Sequence, residues 1–178
     1  YRHNRHNIGF KAIDLLAVKL DTRFTRLQSK ALIGKGIWHE HRLILAKPQT
    51  FMNLSGNAIK GLMRFYKLIP ANLFVIHDDL DLPLGMLRIR PGGGSGGQKG
   101  VASIIEQIHG SDFPRIRLGI GRPPGSMEPS QYVLQDFTGE ESIIVEETIK
   151  RAVDAILYSI EEGLEASMTK YNNQSEPV

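Results

Sequence analysis

The chain has 178 residues, 41% of them hydrophobic and 23% charged, with a net charge of +3 and no cysteine. That length is enough for one domain with its own core, and the absence of thiols excludes disulfides and thiolate metal sites. No apolar run reaches bilayer-spanning length and no signal-peptide pattern opens the chain, so Asn-Leu-Ser at 53–55 is read as a chance glycosylation sequon.

Along the chain, residues 8–20 place Ile13, Leu16 and Leu20 on one helical face. Residues 31–38 and 42–48 read as two strands joined through His39-Glu40-His41. Residues 53–68 read as a helix, with Asn53 or Ser55 as N-cap, a stripe of Ile59, Leu62 and Phe65, and a stop at Pro70. The continuous apolar run at 72–78 has the pattern of a strand buried on both faces. Residues 86–90 alternate, as in an edge or half-exposed strand. A helix opens at 99–110 directly after a glycine cluster, 115–121 give another strand, and 122–129 a loop. Residues 140–168 form a long amphipathic helix, broken or capped near Gly163, and 171–178 read as a disordered tail. Strands and helices alternate without a repeat or a linker. The expectation is a single-domain α/β fold, a mixed β-sheet with helices on both faces.

Charge is unevenly placed. Between Arg88 and Arg122 six Arg and Lys stand against two acids, a net +4, and from Glu128 onward the acids dominate. Such a basic region suits a phosphate-rich partner, although a solvated charged surface has the same composition.

Four groups of residues carry candidate chemistry. The first is the sequence His77-Asp78-Asp79-Leu80-Asp81, with Asp78 at the carboxyl end of the buried strand, where open α/β sheets place functional groups. The same carboxylates admit a turn before Pro83, or a hard-metal site with His77. The second is residues 92–100, six of them glycine. They match neither a Walker loop nor a dinucleotide fingerprint. Bare backbone lets a ligand approach closely and leaves the following helix's N–H groups open; a passive loop there costs much chain entropy. The third group is the histidines. His39 and His41 share a strand face and read as a metal pair or as surface decoration. His6, just before a helix, makes a base–orienter pair if it meets Asp78: the imidazole takes a proton from water and the carboxylate holds its tautomer. With no cysteine and no Gly-x-Ser-x-Gly elbow, a hydrolase built on this chain would use activated water. The fourth is Phe51-Met52-Asn53, where a neutral amide that both donates and accepts suits an ester or a water, or else serves as a helix cap beside two core residues.

Together these pieces form a pattern. Tyr1-x-x-x-Arg5-His6-Asn7, Thr50-Phe51-Met52-Asn53-Leu54-Ser55-Gly56, the His77–Pro83 run with Gly85, the glycine cluster, and the run from Phe113 to Gly125 stand in one order and spacing. That order and spacing resemble bacterial-type peptidyl-tRNA hydrolase, from Tyr1 to about residue 170. The resemblance implies hydrolysis of the ester between a peptide and the 3′ end of tRNA, recycling peptidyl-tRNA dropped in translation. It implies His6 as general base and Asp78 as its stabiliser. Tyr1, Phe51, Met52, Asn53 and Lys99 would contact the tRNA 3′ end and peptide, and Arg88, Arg90 and Arg117 the tRNA phosphates. It implies no metal, no cofactor and no membrane, and a monomer in the cytoplasm or an organelle matrix. Three departures accompany it. The family's opening strand and Gly-Asn-Pro-Gly loop are not in the sequence given, which is expected to be missing its front segment. Gln98-Lys99 stands where the family has His-Asn, with Lys99 offering a charge to phosphate or an oxyanion. Asn4 replaces a threonine. The competing expectations are a non-catalytic RNA-binding relative of the same fold, such as an organellar splicing factor, and a metal-dependent nuclease using the aspartates; the retained His6, Asp78 and Asn53 argue for catalysis.

Overall fold

The structure is a computed structural model that describes residues 4–173. Its contacts divide into two compact units, Tyr1–Ala12 with Ile76–Arg90 and Arg115–Val178, and Ile13–Val75 with Pro91–Pro114. The first helix, α1 (Ile8–Lys19), opens in the first unit and closes in the second.

The second unit is built on an antiparallel sheet of β1 (Arg26–Gln28), β2 (Ala31–Trp38) and β3 (His41–Pro48). Strand β1 was not foreseen. Its hairpin turn is Ser29-Lys30, both at positive φ (49° and 61°), closed by the Gln28–Ala31 pair. This is the geometry that favours Asn-Gly, so a Ser-Lys turn carries no sequence signal. The next turn has two residues, His39 and Glu40, between the paired Trp38 and His41, with His39 at φ 50°.

Helix α2 (Ser55–Tyr66) lies between that sheet and α3 (Lys99–Ile108). Ala58 and Leu62 pack on Ala31 and Ile33, while Ile59 packs on Val101, Ile104 and Phe113. Phe65, expected in the same stripe, is 61% exposed. The α2–α3 crossing is close because Gly56 has no side chain: a Cβ there would stand 2.1 Å from the Ser103 carbonyl oxygen, and the Gly56 N–H donates to Ser103 Oγ at 3.0 Å. Neither Asn53 nor Ser55 caps α2. A 3-10 turn, Met52–Leu54, feeds the helix directly, and the Ser55 hydroxyl donates to the Met52 carbonyl. The helix ends at Lys67 in a left-handed conformation, ahead of Pro70, with the Leu68 N–H closing on the Met63 carbonyl.

The first unit holds, apart from the opening residue Val75, the sheet β4 (Val75–Asp79), β5 (Leu87–Arg90) and β6 (Arg115–Gly119), in the order β4-β6-β5. It is mixed. β5 and β6 are antiparallel. Along β4 and β6 the bonds Val75 N–H to Pro114 C=O and Asp79 C=O to Ile120 N–H advance in the same direction, which is a parallel pairing. The α/β class with a mixed sheet is thus as read from the sequence, with the strands shared between two three-stranded sheets. Leu87, Ile89, Ile116 and Leu118 face the core at 0% exposure. A short α4 (Pro129–Tyr132) falls where a loop was expected to end. The long helix does break at Gly163, into α5 (Gly139–Glu162) and α6 (Leu164–Asn172). Thr138 and Glu141 form a reciprocal capping box at the start of α5. Residues 171 and 172, expected in a disordered tail, are instead part of the fold. Tyr171 is buried, and the Asn172 side chain bonds the N–H and C=O of Ile89, finishing the open edge of β5 as another strand would. Residues 174–178 lie outside the described residues, as does Tyr1.

Candidate active site

The histidine chosen from sequence sits in a 3-10 turn, Arg5–Asn7, that leads into α1. This turn is pinned from both sides. The Arg5 N–H donates to the Gln135 carbonyl and the His6 N–H to the Val133 carbonyl, each at 2.9 Å. The buried Arg5 side chain makes a two-pronged bond to Glu141 (2.7 and 3.0 Å) and lies over the Tyr132 and Phe137 rings. Burial alone would raise the Glu141 carboxyl, but the Arg5 hydrogen bonds, the Thr138 N–H and the Arg5 charge hold it below its ordinary value.

Opposite the turn, β4 ends in Asp78, whose side chain is 4% exposed against 18% for His6. The two approach because α1 starts against β4 at Gly9, where a Cβ would stand 2.4 Å from the Ile76 carbonyl oxygen; only glycine allows it. His6 Nδ1 and Asp78 Oδ1 are 2.8 Å apart. With the carboxylate accepting from Nδ1–H, the lone pair of the imidazole is on Nε2. The pair is therefore set to remove a proton from water and to hold the resulting charge.

The neighbouring acidic residues have other tasks. Asp79 accepts from Arg117 Nε at 2.6 Å and from the Asp81 N–H at 2.8 Å, and Asp81 pairs with Arg122. His77 faces the interior, its Nδ1–H donating to the Asp78 carbonyl at 2.7 Å and its Nε2 buried without a hydrogen-bond partner. Burial pushes the His77 pKa below 6.5, outweighing the Asp78 carbonyl that favours the proton. Among the described residues no three His, Asp or Glu converge as metal ligands.

The arginines read as phosphate contacts share a surface. Arg88 pairs with Arg117 and Arg90 with Arg115 across β5 and β6, so all four lie on one face of the ladder, opposite the core leucines and isoleucines. Arg90 is exposed. Arg88 donates to the Asn172 and Leu87 carbonyls, and Arg117 is half-buried on Asp79. Arg115 had been counted only as charge. It is buried at 2% exposure, and burial together with the nearby Arg117 charge pushes its pKa down.

Within the second unit, the residues read as substrate contacts form a cluster of their own. Phe51 is 81% exposed, and Asn53 is exposed on the Met52–Leu54 turn. Met52 packs against the start of α3: a Cβ at Gly100 would stand 2.6 Å from its Sδ. Gln98 explains one departure from the family pattern. Its Oε1 accepts the Val101 N–H at 2.8 Å as N-cap of α3, and its Nε2 reaches Met52 Sδ at 3.6 Å. Lys99, the first residue of α3, is exposed. Glu141 was not singled out from sequence, although Thr138-x-x-Glu141 is a readable capping pattern, and Arg5 and Gln98 entered only through the family pattern, without the contacts they make.

Known proteins resemble this chain in sequence and in fold. The family model described as peptidyl-tRNA hydrolase matches residues 1–177. The chain is 45% identical to a peptidyl-tRNA hydrolase of Chloroflexus aggregans, over 97% of this chain and 92% of that protein. It is 43% identical to a chloroplastic peptidyl-tRNA hydrolase of Arabidopsis thaliana, over 98% of this chain and 61% of that protein. A crystal structure of peptidyl-tRNA hydrolase from Acinetobacter baumannii superposes with a TM-score of 0.93 at 30% identity, covering 100% of this chain and 90% of that one. The chain belongs to the peptidyl-tRNA hydrolase family.

Proposed function

We infer that the protein hydrolyses the ester between a peptide and the 3′-terminal ribose of tRNA. Water supplies the nucleophile. His6 Nε2 takes its proton as the oxygen attacks the ester carbonyl, and the tetrahedral adduct expels the ribose oxygen, which regains a proton. The products are a peptide carboxylate and a tRNA with a free 3′ end. Asp78 keeps Nδ1 protonated and offsets the imidazolium charge that develops during attack. Asn53, Met52, Phe51, Tyr1 and Lys99 contact the 3′ end and the peptide, and Arg88, Arg90 and Arg117 contact phosphate. Arg90, the exposed one, meets phosphate directly. The other two also serve protein acceptors, Arg88 through Nη1 and Arg117 through Nε, and add to the positive potential of the four-arginine face. The protein acts as a monomer without a metal, in the cytoplasm or an organelle matrix.

The His6–Asp78 contact in a chain of this family carries the reading. Release of N-acetylated amino acid from tRNA, with a chelator present, tests it. Steady turnover is expected. Tight tRNA binding without any turnover would replace the reading with a non-catalytic RNA-binding role.

A further inference from the structure

The largest concentration of positive charge is not on the four-arginine ladder. Between Asp21 and Asp78 the chain carries nine Lys and Arg and a single carboxylate, Glu40. The strands β1, β2 and β3 contain no acidic residue at all. Their pairing sorts these charges by face. Arg26 pairs with Ile33, Lys35 with Ile44 and Arg42 with Ile37. Arg26, Lys35 and Arg42 therefore lie on one face, each diagonal to the next, about 7–8 Å apart by sheet geometry. Lys47 points to the opposite face, where it pairs with Asp14 and covers the Phe24 ring.

Helix α2 covers only one end of the face, over Ala31, Ile33 and Ala46. At the other end Arg26, Lys35, Arg42 and Ile37 are exposed. The last turn of α2 adds Arg64 and its C-cap adds Lys67, both exposed. Tyr66 joins helix to sheet: its hydroxyl donates to Gln28, and Lys35 Nζ lies 5.2 Å from its ring centroid. Among the described residues none of these five cations meets a carboxylate. Like charges held on one sheet face repel, and a polyanion laid across them relieves that repulsion while releasing its own counterions.

We propose that this face, Arg26, Lys35 and Arg42 with Arg64 and Lys67, is a second RNA-binding surface that engages the phosphate backbone of the tRNA body. It rests on the tRNA substrate inferred above for the choice of polyanion. The diagonal row tracks a strand of phosphates, and it contacts no base edge, so it discriminates little between tRNA sequences. Its contribution is affinity for the whole tRNA, and a substrate reduced to the CCA end does not feel it.

The test uses binding of deacylated tRNA, which is independent of turnover. The triple variant R26Q/K35Q/R42Q should bind tRNA about tenfold more weakly at low salt. The slope of log affinity against log salt should fall by about 0.9 for each phosphate that the variant no longer neutralises. Its turnover of an N-acetylaminoacyl ester on a short CCA oligonucleotide should match the parent. R64Q/K67Q, confined to an exposed helix end, gives a second reading should the sheet variant fold poorly; it should lower affinity in the same way. Unchanged affinity and salt slope in folded variants would overturn the proposal, as would loss of binding to phosphatidylserine vesicles with tRNA binding intact. A parent that binds tRNA through this face but does not hydrolyse esters would refute the proposed activity and leave the surface standing.

Discussion

Asp78→Asn isolates what the carboxylate does for His6. The substitution keeps shape and removes charge at a side chain 4% exposed, 2.8 Å from Nδ1. Two effects follow. An amide can donate to Nδ1 as well as accept, which moves the imidazole proton to Nε2 and blocks proton removal from water. The attraction that offsets a developing imidazolium is also lost. At that distance an effective dielectric of about 20 gives a ceiling of about 6 kcal/mol. Each ~1.4 kcal/mol is tenfold in rate, so the ceiling is about four decades. The equivalent change in a Ser-His-Asp triad costs about 10⁴ in kcat. A fall in kcat between about 10² and 10⁴ is expected here, with KM changed less than about threefold. Steady-state kinetics on N-acetylaminoacyl-tRNA read both constants, and far-UV circular dichroism checks the fold. A folded Asp78→Asn variant whose kcat stays within about fivefold of the parent would rule out this role for Asp78, because the carboxylate would then be neither fixing a tautomer nor balancing a charge.

Three further outcomes concern the scaffold. Gly56→Ala forces a methyl against the Ser103 carbonyl and should cost about 1–3 kcal/mol in urea denaturation by parting α2 from α3. Glu141→Ala strands the buried Arg5 guanidinium; because Glu141 is itself 25% exposed, the loss should be about 3 kcal/mol, at the lower edge for a buried pair, and kcat should fall as the His6 turn loosens. The third is pH-dependent. The folded state holds His77 below its ordinary 6.5, so below that pH the unfolded chain takes up a proton that the folded chain refuses. Stability should therefore be full above about 6.5 and fall as the pH drops toward the folded value, and His77→Phe should flatten this slope between pH 7.5 and 5.5 in denaturant titrations.

What the sequence disclosed was governed by periodicity and by chemistry. Leu87-Arg88-Ile89-Arg90 alternates, and the structure makes it the half-exposed edge strand that alternation implies. The long helix with an internal glycine breaks at Gly163, where its φ of 94° disfavours other residues. His6 and Asp78, 72 residues apart, were joined through the chemistry each could do and through the family pattern, and they meet. Features set by backbone geometry alone stayed hidden. Ser29-Lys30 makes a left-handed turn without a turn-forming residue, and α2 is preceded by a 3-10 turn, so neither Asn53 nor Ser55 caps it. Long-range contacts by ordinary residues were equally silent: nothing in Arg5, Glu141 or Asn172 announces that they fix the His6 turn and close the β5 edge. Gln98 looked like a departure from a substrate-binding pattern, and its local task as a helix cap emerges only in the structure.

The most direct test of the account is hydrolysis of N-acetylaminoacyl-tRNA by His6→Ala beside the parent chain, with tRNA affinity measured on both. Turnover should fall by at least about 10³ while affinity stays within about twofold, since His6 acts on water and the cations hold the RNA. A variant that keeps its turnover would contradict His6 as the base.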